Sequence, residues 1–176
     1  MKPLRTISKP LFGEYDPYAI LYIDNVPDDG MILSHLAEQQ IRLDGLLRSL
    51  PAEKLEYRYA PGKWTIKEIL LHITDAERIF VYRALRFARN DATPLTGYDQ
   101  DPYVAASNPR GRSIDDLLEE FAHVRRSTIS FFSSLDDEAW MRSGTANNAH
   151  VTVRALAYII AGHELHHLKI ITEKYL

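Results

Sequence analysis

Close to its C-terminus the chain carries His163, Glu164, Leu165, His166 and His167, an H-E-x-x-H sequence. On a helix this spacing belongs to zinc peptidases, where two histidines hold the metal and the glutamate acts as base. At about 100° per residue, His163 and His167 lie about 40° apart on one helix face, one turn from each other. Val153, Leu156, Ile160, Ile170 and Ile171 share that face, so both imidazoles are expected to point inward, where a polar group needs a partner. Two imidazoles at i and i+4 can bind one divalent ion; the plainer reading is a pair of hydrogen-bonded core histidines. A third inward imidazole favours the ion. His72, in "EILLHITDAERIF", lies on the stripe of Ile69, Ala76, Ile79 and Phe80.

The remaining histidines are weaker candidates. His35 reads as a boundary residue, His123 faces solvent beside Asp116 and Glu120, and His150 lies in a loop. His166 points about 60° away from His163 and reads as a flanking residue that could support a ligand. Proteolysis is not expected. Only nine residues follow His167, none of them histidine, and such peptidases need a further ligand. Glu173 is about 120° round from His167, and Glu164 about 100° from His163. No edge strand is expected along which a peptide could pair. The metal-binding content of the pattern stands without its peptidase content.

Helical periodicity dominates the rest of the chain, with no run of alternating strands. The first helix is expected over about Met31 to Leu50, with Ile32, Leu36, Leu43, Leu46, Leu47 and Leu50 inward and Pro51 as its stop. The second begins at "WTIKE", where Thr65 and Glu68 form a T-x-x-E capping box, and runs to about Arg89. The third runs from Ser113, with Asp116 in the reciprocal capping position, to about Ser134, with Ile114, Leu117, Phe121, Val124, Phe131 and Leu135 inward. The fourth runs from about Thr152 to the end.

Four such helices in one all-α domain spanning 1–176 suggest a four-helix bundle. The connection between the second and third, "NDATPLTGYDQDPYVAASNPRGR", is far longer than the 2–8 residues a bundle turn needs. It can cross the length of the bundle and let the third helix run parallel to the second, an up-down-down-up order; a long loop folded over one end is the alternative. Residues 1–28, with Tyr15, Tyr18 and Tyr22 among prolines, read as an extended segment packed on the bundle.

Composition narrows the function classes. Of 176 residues 45% are hydrophobic and 26% charged, ordinary for a soluble domain. The net charge of −3 argues against a nucleic-acid partner. Absence of cysteine excludes disulfides and thiolate sites and fits a reducing compartment. With no signal peptide and no membrane span expected, the default is a cytoplasmic protein.

"WTIKEILLHITDAERIFVYRALRFARND", "PLTGYDQDPYV" and "GHELHHLKIITEKYL", in this order and spacing, closely resemble the DinB-like (DinB/YfiT) superfamily. "EYDPYAILYIDNVPDDGMILSHLAEQQ" resembles the start of one of its branches, so the likeness covers nearly the whole chain from about Glu14. The resemblance implies an up-down-down-up four-helix bundle, often a homodimer, holding a divalent metal, nickel or zinc, with three histidines. Those ligands fall on His72, His163 and His167. Relatives include S-transferases and isomerases that use low-molecular-weight thiols, and metal-dependent hydrolases.

Three neutral imidazoles leave a divalent ion with open positions, at which water or a substrate thiol can be ionised. Glu68, one turn before His72, and Asp75, about 60° round from it, could each accept a ligand ring N–H. The stronger reading takes Glu68 as a cap and Asp75 as a surface carboxylate beside Arg78. Arg83, about 20° from the His72 direction, reads as a group for an anionic substrate or thiol, or as the partner of a carboxylate at the bundle end. Tyr98, Asp99, Asp101 and Tyr103 resemble a family motif and could cover the pocket or anchor the loop. Two classes of function follow: a metal enzyme acting on a small molecule, or a metal-binding stress-response protein whose site is structural.

Overall fold

The computed structural model describes residues 6–176. Its body is four long helices: α1 (Ile32–Arg48), α2 (Ile66–Ala88), α3 (Ile114–Ser133) and α4 (Val153–Lys174). Local chemistry starts three of them. Thr65 Oγ1 accepts from the Glu68 amide at 3.2 Å while Glu68 Oε2 accepts from the Thr65 amide at 2.6 Å, closing both halves of the capping box. Ser113 Oγ accepts from the Asp116 amide at 3.1 Å, but the Asp116 carboxylate turns to Arg112 at 2.5 Å instead of closing a box. Thr152 caps α4 through the Ala155 amide.

Two apolar layers fix the direction of every helix. One joins Ile32 and Leu36 at the start of α1, Phe87 and Ala88 at the end of α2, Phe132 at the end of α3, and Val153 to Ala161 at the start of α4. The other joins Leu43 and Leu47, Ile66 to Ile73, Leu117 to Phe121, and Leu168 and Ile171, the opposite ends of the same helices. The order is therefore up-down-down-up: α1 and α4 run one way, α2 and α3 the other. Residues 89–113 make the crossover, stiffened by a short helix, Gln100–Ala106, and a 3-10 turn, Pro109–Gly111.

The structure corrects several expectations. Strands β1 (Ser143–Ala146) and β2 (Ala149–Thr152) form an antiparallel hairpin. Its two turn residues, Asn147 and Asn148, have φ of 52° and 62°, the left-handed geometry that a two-residue hairpin requires. Four-residue strands are too short to show alternation, and His150 lies on β2. Leu95 of the crossover adds a parallel bridge to Ala146.

The N-terminal segment is not simply extended. Its first five positions lie outside the described residues, while Pro17–Ala19 and Ile20–Ile23 are helical. Asp16 caps the Tyr18 amide at 2.8 Å, and Ala19 and Ile23, one turn apart, are buried against α4. At Gly162 a methyl group would overlap the Tyr22 carbonyl, so only glycine lets the two backbones approach this closely. On α3, Val124 and Phe131 are only half-buried, and the buried stripe is Leu117, Leu118, Phe121, Arg125, Thr128 and Phe132. Among the described residues no helix is long and apolar enough to cross a membrane.

Candidate metal centre

His72 sits two turns into α2 from the Thr65 cap, and His163 and His167 lie one turn apart on α4, which packs antiparallel beside α2. The three Nε2 atoms converge. His163 Nε2 is 3.0 Å from His72 Nε2 and 3.1 Å from His167 Nε2, and one ligand nitrogen from each ring lies within 4.8 Å of the others. A ring nitrogen has either one proton or one lone pair in its plane, so His163 Nε2 cannot satisfy both contacts as ordinary hydrogen bonds. Two imidazoles sharing one ion at ~2.0–2.1 Å place their nitrogens about 2.9–3.4 Å apart, which matches both contacts. The donor set thus fits a divalent ion.

Burial supplies the protonation state that binding needs. It pushes His72 down to about 4. Burial, then the neighbouring His72 and His166, pushes His167 down to about 3. Burial, reinforced by His167 and His72, holds His163 well below the usual histidine range. All three imidazoles are neutral at pH 7. Aromatic rings fix their orientation: Trp64 lies 4.8 Å from His72, Tyr22 and Phe80 lie 5.3 and 5.9 Å from His163. Tyr175 Oη donates to the Trp64 carbonyl at 2.5 Å, so the last turn of the chain anchors that wall.

His72 and His163 are buried, as the inward-facing stripes implied, where α2 meets α4. The triad's ring neighbours are Tyr22 of the N-terminal segment, Phe80 of α2, His166 of α4 and Trp64, just ahead of the Thr65 cap. The bundle centre is taken by Arg125 of α3, which sequence reasoning missed. Its guanidinium donates to Glu77 at 2.7–3.1 Å, to Glu164 Oε2 at 2.7 Å and to the Leu36 carbonyl at 2.8 Å, tying all four helices together. An arginine on an apolar stripe was the available signal. Glu164, the glutamate of H-E-x-x-H, is fully buried in this cluster and does not face the histidines.

Triad residues line two cavities. The larger, about 560 Å³, has His72 and His163 in its wall with Tyr22, Phe80, Arg83 and Tyr98. The smaller, about 290 Å³, reaches His167 between Trp64, Tyr59 and Tyr175. The crossover covers both, Tyr98 and Asp99 over the first and Asp101 over the second. Tyr103 packs on Tyr98 at 5.1 Å, and Asp99 also caps the short helix.

The other candidates lie elsewhere. Glu68 spends both oxygens on the Thr65 amide and Arg58, and Asp75 pairs with Arg78 at 3.0 Å; neither accepts from a triad ring. His166 is half-buried against Tyr22, with ring centroids 5.5 Å apart, and does not join the three converging nitrogens. His35 pairs with Asp29 at 2.9 Å. Arg83 pairs with no carboxylate among the described residues; it donates to the Thr96 carbonyl at 3.3 Å.

Known proteins share this architecture. YfiT from Bacillus subtilis, a probable metal-dependent hydrolase with an unusual four-helix bundle topology, superposes with a TM-score of 0.74 at 17% identity, over 81% of this chain and 82% of that one. The DinB-like protein YjoA, also from Bacillus subtilis, gives 0.56 at 20% identity, over 80% of this chain and 86% of that one. At those identities the likeness is one of fold. OB0413 of Oceanobacillus iheyensis, whose name places it provisionally among metal-dependent hydrolases, is 26% identical over 129 residues, 72% of this chain and 73% of that protein. The sequence profile of the DinB superfamily matches residues 35–171, most of the chain, and the protein belongs to that superfamily.

Proposed function

We propose that this protein is a metal-dependent enzyme acting on a small molecule, most simply a hydrolase, with His72, His163 and His167 as the metal ligands. The observation that carries this reading is the convergence of three neutral imidazole nitrogens, two of whose rings, His72 and His163, line a cavity of about 560 Å³, a volume in the range of small-molecule sites. A divalent ion bound there, nickel or zinc, supplies a Lewis acid able to activate water or a thiol near neutral pH. The chain's own residues do the rest. His72 and His163 present their nitrogens to the cavity, Phe80 and Leu156 exclude bulk water, and Trp64 and Tyr22 hold the rings in place. A purely structural metal site would be closed, whereas this one is reached from two sides.

The second cavity supports a second reading, transfer to a low-molecular-weight thiol. Group transfer needs room for two reactants, and the His167 side offers a separate space lined by the third imidazole.

The experiment is metal analysis with X-ray absorption on the purified protein and on His72→Ala, His163→Ala and His167→Ala. One nickel or zinc per chain, bound by three imidazoles plus oxygen, and lost from each variant, is the expected result. Full metal retention in the variants overturns the ligand set. Ester hydrolysis and thiol conjugation, each with and without chelator, then separate the two reactions. Loss of melting stability on chelation, with no exchangeable oxygen ligand, would instead mark a structural site.

A further inference from the structure

The arginines of α2 differ in how their charge is met. Arg78 pairs with Asp75 and Glu120, and Arg86 with Asp91. Arg83, between them, lines the larger cavity, and no carboxylate among the described residues pairs with it. It has the Thr96 carbonyl at 3.3 Å, the Phe80 ring 5.9 Å from its guanidinium carbon, and the Tyr98 phenol nearby. Burial lowers its pKa, so the cation has given up part of its hydration without a matching anion.

The position of this group relative to the triad is constrained. The Phe80 ring lies 5.9 Å from the His163 ring and 5.9 Å from the Arg83 guanidinium carbon. Arg83 and the triad are therefore at most about twice that distance apart, across one cavity. The wall between them is apolar, with Phe80, Leu156 and Ile159.

We propose that the larger cavity takes a small monoanionic carboxylate, its carboxylate held by Arg83, its hydrocarbon body along Phe80, and its reacting group at the triad. This rests on the metal-enzyme reading above. The wall charges select the class. Arg83 is the one lysine or arginine among the lining residues, and Asp16 and Asp99 line the same cavity. At Arg83 a doubly charged phosphate would leave one of its charges without a protein cation, whereas a planar carboxylate matches the two-pronged guanidinium and its single charge.

Binding of suberic monohydroxamate and of octanohydroxamate to the metal-loaded protein tests this. Both carry the same metal-seeking end, and only the first has a carboxylate at the other. Wild type is expected to prefer the acid by about tenfold, the size of one charge-assisted hydrogen bond. In Arg83→Gln the preference should fall to near parity, with octanohydroxamate affinity, metal content and melting temperature unchanged. Equal affinities in wild type, or a preference that survives in R83Q, overturns the proposal. If neither hydroxamate binds in a metal-dependent way, it is the metal reading that has failed. The carboxylate site is then judged by ligand-observed NMR of octanoate against octanol: a preference for octanoate that is lost in R83Q sustains it, and any other result overturns it.

Discussion

Glu164 Oε2 accepts a hydrogen bond from Arg125 Nη2 at 2.7 Å in the centre of the bundle, and this contact turns the glutamate of H-E-x-x-H away from the histidines beside it. His163 and Glu164 are adjacent and both buried, yet a helix sends neighbouring side chains about 100° apart. One reaches the α2 seam and the other the α3 side. The sequence pattern of a peptidase is thereby split between the histidine triad and a buried ion cluster. Burial raises the pKa of Glu164 while Arg125 opposes it, and Arg125, held between two carboxylates, remains charged.

Breaking that cluster should cost stability rather than metal. Arg125→Ala leaves Glu77 and Glu164 buried without their cation and is expected to destabilise the fold by about 3–5 kcal/mol. Glu164→Gln keeps a polar partner for Arg125, should cost less, and should retain one metal per chain. Denaturant unfolding and metal analysis check both; loss of metal in E164Q would instead make Glu164 part of the centre.

Acid should destabilise the metal-free protein. His72, at about 4 in the fold against 6.5 for a free histidine, binds its proton more readily when unfolded. His163 and His167 are shifted the same way. Their contribution is complete above about pH 6.5 and is lost as pH falls through the folded values. For His72 alone this amounts to on the order of 3 kcal/mol. Urea unfolding of metal-free wild type should weaken from pH 7 to 4, and His72→Ala should weaken less; equal slopes would contradict the assignment.

The contact at Gly162 is open to a simple substitution. Gly162→Ala drives a methyl group into the Tyr22 carbonyl and is expected to cost about 1–3 kcal/mol, the usual range for overpacking. Because Tyr22 also packs on His163 and His166, the N-terminal segment should loosen over the triad. A lower melting temperature together with faster proteolysis before Gly30 is the expected pair of results.

Two neighbouring histidines should behave differently. His167→Ala is expected to lose the metal, since its Nε2 is 3.1 Å from that of His163. His166→Ala should keep it and lose only an edge contact with Tyr22. Equal metal loss in the two variants would place His166 in the centre as well.

The four long helices, the Thr65–Glu68 box and the inward faces of His72, His163 and His167 were legible in the sequence because each rests on local spacing. A 3.6-residue period sets which side chains share a face, and T-x-x-E closes its box within one turn. The direction of the four helices was also legible, from one connection too long to be a turn. The centre of the bundle was not. A helical stripe says which face is buried but not against what, so neither the α2–α4 seam that holds the histidines nor the central place of Arg125 was readable. Only the packing of four helices shows that Arg125 reaches Glu77, Glu164 and the Leu36 carbonyl, sequence-distant groups that need one another because water is excluded there. The same holds for Arg83: spacing put it on the histidine side, and only the tertiary structure shows it facing a cavity, paired with no carboxylate among the described residues.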